Sequence, residues 1–237
     1  MELRPGLHRI GNDLVACYLI ADDTGALLVD AGIPGQWPEL LAELDALGLT
    51  PADIRGVVLT HGDSDHLGFA ERLRRDHGVP VAVHADDAER ALGGPKPKTG
   101  RERFRLGATA RFLWFTLRRG GLRTEHPREV ERIEAGTALP LPGRPEIIAM
   151  PGHSPGSIAV HVPSLDAVFV GDALTTRNVL TGAEGPAPAP FTDDPPAALA
   201  ALDRIAGLGA AWVLPGHGAP WHGDVAEAVR RIRAIAD

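Results

Sequence analysis

The sequence predicts an α/β protein made of two sheets packed together with helices outside them. Three observations lead there: a globular composition, short Val-, Ile- and Leu-rich runs alternating with helical patterns, and the recurrence of that order in both halves of the chain. With 237 residues, 44% of them hydrophobic and 23% charged, the chain is long enough to bury a core unaided. It lacks the bias of a disordered, collagenous or coiled-coil protein. The single cysteine, Cys17, excludes an internal disulfide framework and any Cys-rich zinc module. Near the N-terminus the longest apolar run, Leu14 to Ile20, spans seven residues. That is too short for a membrane span, and it has no basic flank of the signal-peptide kind. A cytoplasmic location without stable membrane insertion is the expectation.

Strands are expected at Leu7 to Ile10, Leu14 to Ile20 and Ala26 to Asp30, the last two joined by a turn at Asp22-Asp23-Thr24-Gly25. Pro38 to Leu47 reads as a helix with Leu40, Leu41, Leu44 and Leu47 on one face, ended by Gly48. Gly56 to Leu59 is a buried strand running into Thr60-His61. A helix from about Leu67 to His77, stopped by Gly78, leads to a strand at Val79 to Val83. The second half repeats the logic with strands at Glu146 to Met150, Ser157 to Val162, Ala167 to Gly171 and Ala211 to Leu214. Asp194 caps a helix with Pro195 at its first position, and Asp224 caps a closing helix from about Val225 to Ala236. The Ala, Pro and Gly stretch between Ala173 and Pro190 reads as an irregular loop.

Charge is spread unevenly. Between Lys96 and Arg132 eleven basic residues face four acidic ones, a local +7, so the rest of the chain carries −14 of the overall −7. An acidic body argues against a duplex nucleic-acid binder, and no nucleic-acid partner is expected. Within residues 96–132, Phe104, Ala108, Phe112 and Phe115 recur at helical spacing. Leu106, Ala110, Leu113 and Leu117 form an adjacent row, with Trp114, Arg111 and Arg118 outside this apolar stripe. Such a helix either packs on the domain's own core or forms a lid over a substrate cleft. A homodimer contact, or contact with an anionic membrane, is equally open.

The chemistry collects in loops that follow strands. The densest, Thr60-His61-Gly62-Asp63-Ser64-Asp65-His66-Leu67-Gly68, puts two imidazoles and two carboxylates within six residues. Ionised carboxylates are seldom buried unless paired or bound to metal, and imidazole with carboxylate suits zinc, iron or manganese. Pro151-Gly152-His153-Ser154-Pro155-Gly156-Ser157, Gly171-Asp172-Ala173 and Leu214-Pro215-Gly216-His217-Gly218 each add one candidate ligand at a strand end. Ser154 and Ser157 do not sit in Gly-x-Ser-x-Gly, which argues against a serine hydrolase. Cys17 lies in an apolar strand pattern and reads as buried and structural. Among the other histidines, His8 and His222 are candidates for the mouth of the site.

The ordered set His61-x-Asp63-x-Asp65-His66, His153, Gly171-Asp172 and Gly216-His217-Gly218 resembles the metallo-β-lactamase superfamily over nearly the whole chain, and Asp30-Ala31-Gly32 matches that family's early Asp-x-Gly. The resemblance implies a single domain over residues 1–237 with an αββα four-layer sandwich and a dinuclear metal site at one edge. It also implies that His61, Asp63 and His153 hold one metal, Asp65, His66 and His217 the other, and Asp172 bridges both. Asp30 would orient the ligands, and Asp65 would steer the attacking hydroxide and pass its proton to the leaving group. The implied activity is a metal-dependent hydrolase that turns a metal-bound hydroxide on a small ester, lactone or thioester. Two Zn2+ ions are the expected cofactor, or one if Asp63 is too short to coordinate, with Fe or Mn as alternatives.

Asp63 departs from the family's usual His-x-His-x-Asp-His. Three carboxylates facing two divalent cations leave a formal +1 where the usual set leaves +2. Zinc lowers the pKa of its water from 15.7 to roughly 7 in favourable sites, so this count predicts a more alkaline optimum or a preference for harder metals. Two other classes stay open: an oxidoreductase similar to the superfamily's mononuclear-iron persulfide dioxygenases, and a non-catalytic binding protein. The Cys ligand of one group of zinc β-lactamases has no counterpart, since Asp172 stands at that place; a glyoxalase II activity is not expected, because that family's glutathione-binding helical region is not expected after Ile235, and neither is the RNA cleavage of relatives that carry a large extra domain.

Overall fold

The computed structural model describes residues 1–97 and 102–236, and its strands form two sheets and a small ribbon. Seven strands make the first sheet in sequence order: β1 (Glu2–Arg4), β2 (Leu7–Gly11), β3 (Ala16–Asp22), β4 (Gly25–Val29), β5 (Ile54–Val58), β6 (Val81–His84) and β7 (Glu131–Ile133). Its first four strands pair antiparallel and its last four parallel. The second half supplies β8 (Glu146–Ala149), β9 (Ile158–Val162), β10 (Ala167–Gly171), β11 (Thr175–Arg177), β12 (Glu184–Ala187), β13 (Trp212–Pro215) and β14 (Trp221–His222). The second sheet runs β14-β13-β10-β9-β8, and β11 pairs with β12 alone.

Among the described residues the α-helices are α1 (Trp37–Ala46), α2 (Ala70–His77), α3 (Ala88–Ala91), α4 (Leu106–Arg118), α5 (Pro195–Ala201), α6 (Asp203–Ala206) and α7 (Val225–Ala236). The strand period of two sorts side chains into layers. In β3, Cys17 and Leu19 face Trp37, Leu40, Leu44, Phe69 and Leu73, whereas Tyr18 and Ile20 join Ile147, Val160, Phe169 and Leu214 between the sheets. The outer face of the second sheet buries Val168, Val170 and Val213 against Leu202, Ile205, Val225, Val229 and Ile232. The expected αββα sandwich is therefore present, and because both sheets are covered on both faces their strands read as unbroken apolar runs.

The helix stops and starts follow local chemistry. Gly78 ends α2 in the left-handed region at φ +69°, a conformation that costs glycine little. Asp194 accepts from the Ala197 amide at 3.0 Å, and Asp224 from the Ala226 amide at 2.9 Å. Two expectations fail here. Leu41 and Leu47 are 38% and 37% exposed, because the buried stripe of α1 is only as wide as Trp37, Leu40 and Leu44. The stretch from Ala173 to Pro190 is not irregular throughout: it contains the β11/β12 ribbon, whose facing Arg177 and Glu184 form a 2.7 Å ion pair.

Strand direction decides where the loops gather. β4 runs parallel to β5, and β10 parallel to β13; β8 and β10 both run antiparallel to β9 and so point the same way. The carboxyl ends of β4, β5, β8, β10 and β13 therefore meet at one edge of the sandwich. Backbone bonds from Ile158 to Thr60 (2.8 Å) and from Ala16 to Gly216 (2.9 Å), with the Tyr18 hydroxyl on the Pro215 carbonyl (2.8 Å), stitch the sheets together there.

Helix α4 has no fully buried residue, its apolar stripe is half-buried at Ala108, Phe112 and Phe115, and none of its residues belongs to the three core clusters. It is anchored at its ends. The Arg105 amide and Thr109 hydroxyl donate to the Leu180 carbonyl, and the Gly35 amide donates to the Arg119 carbonyl at 2.8 Å. Of the basic residues counted in the insertion, Lys98 and Arg101 lie outside the described residues.

Candidate metal centre

All seven predicted ligands converge at the shared edge. His61, Asp63 and His153 form one group whose ligand atoms lie within 4.8 Å of one another; Asp65, His66 and His217 form a second, and Asp172 joins His61 and His66 in a third. Asp172 stands between the first two groups. Its Oδ1 is 3.5 Å from His66 Nε2, and its Oδ2 is 3.3 Å from His217 Nε2 and 3.8 Å from His153 Nε2. Asp65 Oδ2 lies 3.5 Å from His217 Nε2, and Asp63 Oδ2 lies 3.6 Å from His153 Nε2 and 4.0 Å from His61 Nε2.

Hydrogen bonds behind the rings fix which nitrogen faces inward. His66 Nδ1 meets Asp30 Oδ2 at 2.9 Å and His217 Nδ1 meets the Leu14 carbonyl, both of them acceptors. The Thr60 hydroxyl spends its proton on Asp30, so it accepts from His61 Nδ1. The Thr192 hydroxyl donates to the Ala189 carbonyl at 2.8 Å and therefore accepts from His153 Nδ1. In the neutral ring, all four imidazoles thus carry their proton on Nδ1 and aim an Nε2 lone pair at the centre, the arrangement that outer hydrogen bonds impose on metal-binding histidines. His61 Nε2, His66 Nε2, His153 Nε2 and Asp172 Oδ1 are buried without a hydrogen-bond partner. Unsatisfied buried polar atoms are costly, so four of them within these adjoining groups fit bound cations.

The electrostatics agree. Burial opposes charge on His66, yet Asp30 and Asp172 outweigh it and raise the imidazole to about 10. Burial likewise opposes charge on His217, which Asp172 nonetheless lifts to about 9. Asp172 is held well below the usual carboxylate range, with burial opposing and His217 and His66 prevailing. His61 is pushed down by burial and by its neighbours His66 and His153. Three carboxylates within reach of four imidazoles create a pocket that demands positive charge.

Asp30 lies directly behind the candidate ligands, where its carboxylate accepts from the Thr60 amide at 2.7 Å as well as from the Thr60 hydroxyl and His66. Gly216 is needed for close approach, because a Cβ there would run into the His66 ring. Three residues were not legible in the sequence: Asp87, Arg90 and Asp193. Asp87, fully buried, accepts from the Gly62 amide (2.7 Å), the Ser154 hydroxyl (2.8 Å) and the Gly156 amide (2.8 Å), so it ties the His61 loop to the His153 loop. Arg90 donates to both Asp63 and Asp193. Ser154 and Ser157 are buried turn residues, and Cys17 is buried as expected. His8 pairs with Glu43 at 3.0 Å and His222 packs on Trp212, so neither borders the site.

A cleft of about 380 Å³ opens over the centre and reaches Asp63, Asp65, His153, Asp172 and His217. Phe112, Leu113, Leu122, Val179 and Phe191 line its apolar side, with Lys96 near Asp63. The Phe112 ring stands edge-on to His217, 6.1 Å between centroids. Helix α4 is thus a wall of the cleft. Among the described residues no helix is long and apolar enough to cross a membrane.

A family model described as the metallo-beta-lactamase superfamily matches residues 10–217. The chain is 26% identical over 251 residues to the probable metallo-hydrolase YflN of Bacillus subtilis, covering 99% of this chain and 94% of that protein. Among solved structures, the metallo-beta-lactamase family protein TTHA1429 from Thermus thermophilus superposes with a TM-score of 0.73 at 26% identity, over 99% of this chain and 80% of that one. TTHA1623, solved in a di-iron-bound form, gives 0.65 at 28% identity, over 95% and 98%.

Proposed function

Because this chain belongs to the metallo-beta-lactamase superfamily and is a metal-dependent hydrolase of that kind, we propose that it uses two divalent ions on a small ester, lactone or thioester. His61, Asp63 and His153 would hold the first ion and Asp65, His66 and His217 the second, with Asp172 within reach of both groups. The observation that carries this reading is the set of four imidazoles whose Nδ1 protons are committed outward. Zinc is the proposed occupant. When bound, the ions supply an ionised water and polarise the scissile carbonyl.

The protein's own groups do the rest. Asp65 is 24% exposed against 14% for Asp63 and 6% for Asp172, so its carboxylate is the one that meets a leaving group and carries a proton to it. Phe112, Leu113, Leu122 and Phe191 hold the acyl portion and exclude water from the side opposite the ligands. Lys96, 39% exposed on the rim, pairs with Asp63 at 2.7 Å. Elemental analysis of protein purified without added metal, followed by lactone, thioester, β-lactam, phosphodiester and persulfide substrates, tests the reading. Chelator-reversible turnover of the carbonyl esters is expected; equal turnover by chelator-stripped and untreated protein refutes it, and oxygen uptake with the persulfide replaces it.

A further inference from the structure

Asp63 is the acidic residue of the centre gripped by two cations. Arg90 Nε donates to its Oδ1, and Lys96 Nζ stands 2.7 Å from the same oxygen. Only Oδ2 remains to face His153 and His61. Arg90 is 7% exposed, and its other arm donates to Asp193 Oδ2 at 2.7 Å. The Asp193 amide in turn donates to the His153 carbonyl at 3.1 Å. One guanidinium therefore spans from the loop of Asp63 to the loop of His153. Its position is set from below by α3, whose backbone packs so closely on Gly62 that a Cβ there would strike Ala91 and Arg90.

We propose that Arg90 is a positioning residue that makes Asp63 serviceable as a metal ligand where the family usually has histidine. It occupies Oδ1, so the carboxylate offers a single oxygen to the centre, as an imidazole offers a single nitrogen. The planar fork of arginine, pinned by Asp193, holds that orientation in a way a flexible ammonium does not. It also corrects the charge. Asp63, Asp193, Arg90 and Lys96 sum to zero, so two divalent ions with Asp65 and Asp172 keep the +2 of the histidine-bearing set. The alkaline optimum expected from the sequence counted ligands only, and it does not follow once these cations are included.

This inference rests on the dinuclear reading, and its test separates the two. Metal-free wild type, R90Q, D63H and the double variant D63H/R90Q are titrated with Zn2+ alone against a chromophoric chelator, with Co2+ absorption as a second readout of the ligand sphere. Outer contacts to ligands are worth about 10–100-fold in metal affinity, so R90Q is expected to weaken one of two sites by about tenfold or more and leave the other within about twofold. In the D63H background the same change is expected to cost markedly less, because a neutral imidazole needs no counter-cation and only the Asp193 contact is lost. An equal loss in both backgrounds, or none in either, overturns the proposal, since the coupling between positions 63 and 90 is then absent. If R90Q does not fold, R90K supplies the comparison, with a smaller loss that again shrinks beside D63H. Wild type that binds no metal sinks the dinuclear reading itself, whereas two intact sites in R90Q sink only the role of Arg90.

Discussion

Replacing Asp87 with alanine removes a residue that hydrogen-bonds to no predicted ligand side chain and yet joins the loops of His61 and His153. Its carboxylate is fully buried and accepts from the Gly62 and Gly156 amides and the Ser154 hydroxyl, each at 2.7 or 2.8 Å. Hydrogen bonds to a charged acceptor contribute about 1.5–3 kcal/mol each, and the three donors would be stranded in the interior. Water entering the space left by the side chain recovers part of this, which sets the expected loss at about 3–5 kcal/mol. Asp87→Asn, which keeps the shape and one acceptor oxygen, is expected to cost about half as much. Urea unfolding of chelator-stripped protein measures both variants. Zinc titration then reads the local consequence: the site that draws on His61 and His153 weakens first, because those are the loops Asp87 joins. A destabilisation of Asp87→Ala below about 1 kcal/mol, with both sites intact, refutes this account of how the edge is held.

Asp172→Ala is expected to lower kcat for the best ester substrate by about a thousandfold or more, since it removes the carboxylate that lies within reach of His61 from one proposed ligand group and His66 from the other; retention of full activity in steady-state assays defeats the assignment. Phe112→Ala is expected to raise KM for long-acyl esters more than for acetyl esters, because its ring walls the cleft beside His217; equal changes for both put the acyl portion elsewhere. Burial pushes the Cys17 thiol up, so Ellman-type titration at pH 8 is expected to find no reactive thiol until denaturant is added. The metal-free protein is expected to lose stability from pH 7 to pH 10. His66 and His217 are raised to about 10 and 9 by carboxylates that outweigh burial, and the stabilisation of a raised group is complete below its unfolded value and lost as pH climbs through the folded one. A urea midpoint that rises over that interval contradicts the sign.

Much of the fold was legible because its signals are local. Leu27, Leu28 and Val29 make an apolar run that only a doubly covered strand needs, and Gly78, Asp194 and Asp224 mark helix ends by their own conformational and hydrogen-bonding preferences. The seven converging residues were legible because polar side chains placed directly after buried strands have few other uses. Asp87, Arg90 and Asp193 were not, since each is an ordinary surface-type residue in a segment without a motif and matters only because chain folding brings residues 87–90 against loops at 62 and 154–156. The β11/β12 ribbon escaped notice for a related reason: its strands are short, and their pairing rests on a cross-strand ion pair rather than on alternation. Helix α4 shows the converse. Its apolar spacing signalled a helix, but periodicity cannot say whether a stripe meets the core or a cleft.

The proposed ligand groups draw on both halves of the chain. His61, Asp63, Asp65 and His66 follow a strand of the first sheet, while His153, Asp172 and His217 follow strands of the second. Any ion seated among them acts as a rivet between the two slabs, and parting the slabs means extracting it. Resistance of the loaded protein to heat and proteases should accordingly follow the rate at which the rivets escape, and free chelator in the medium should set its working lifetime.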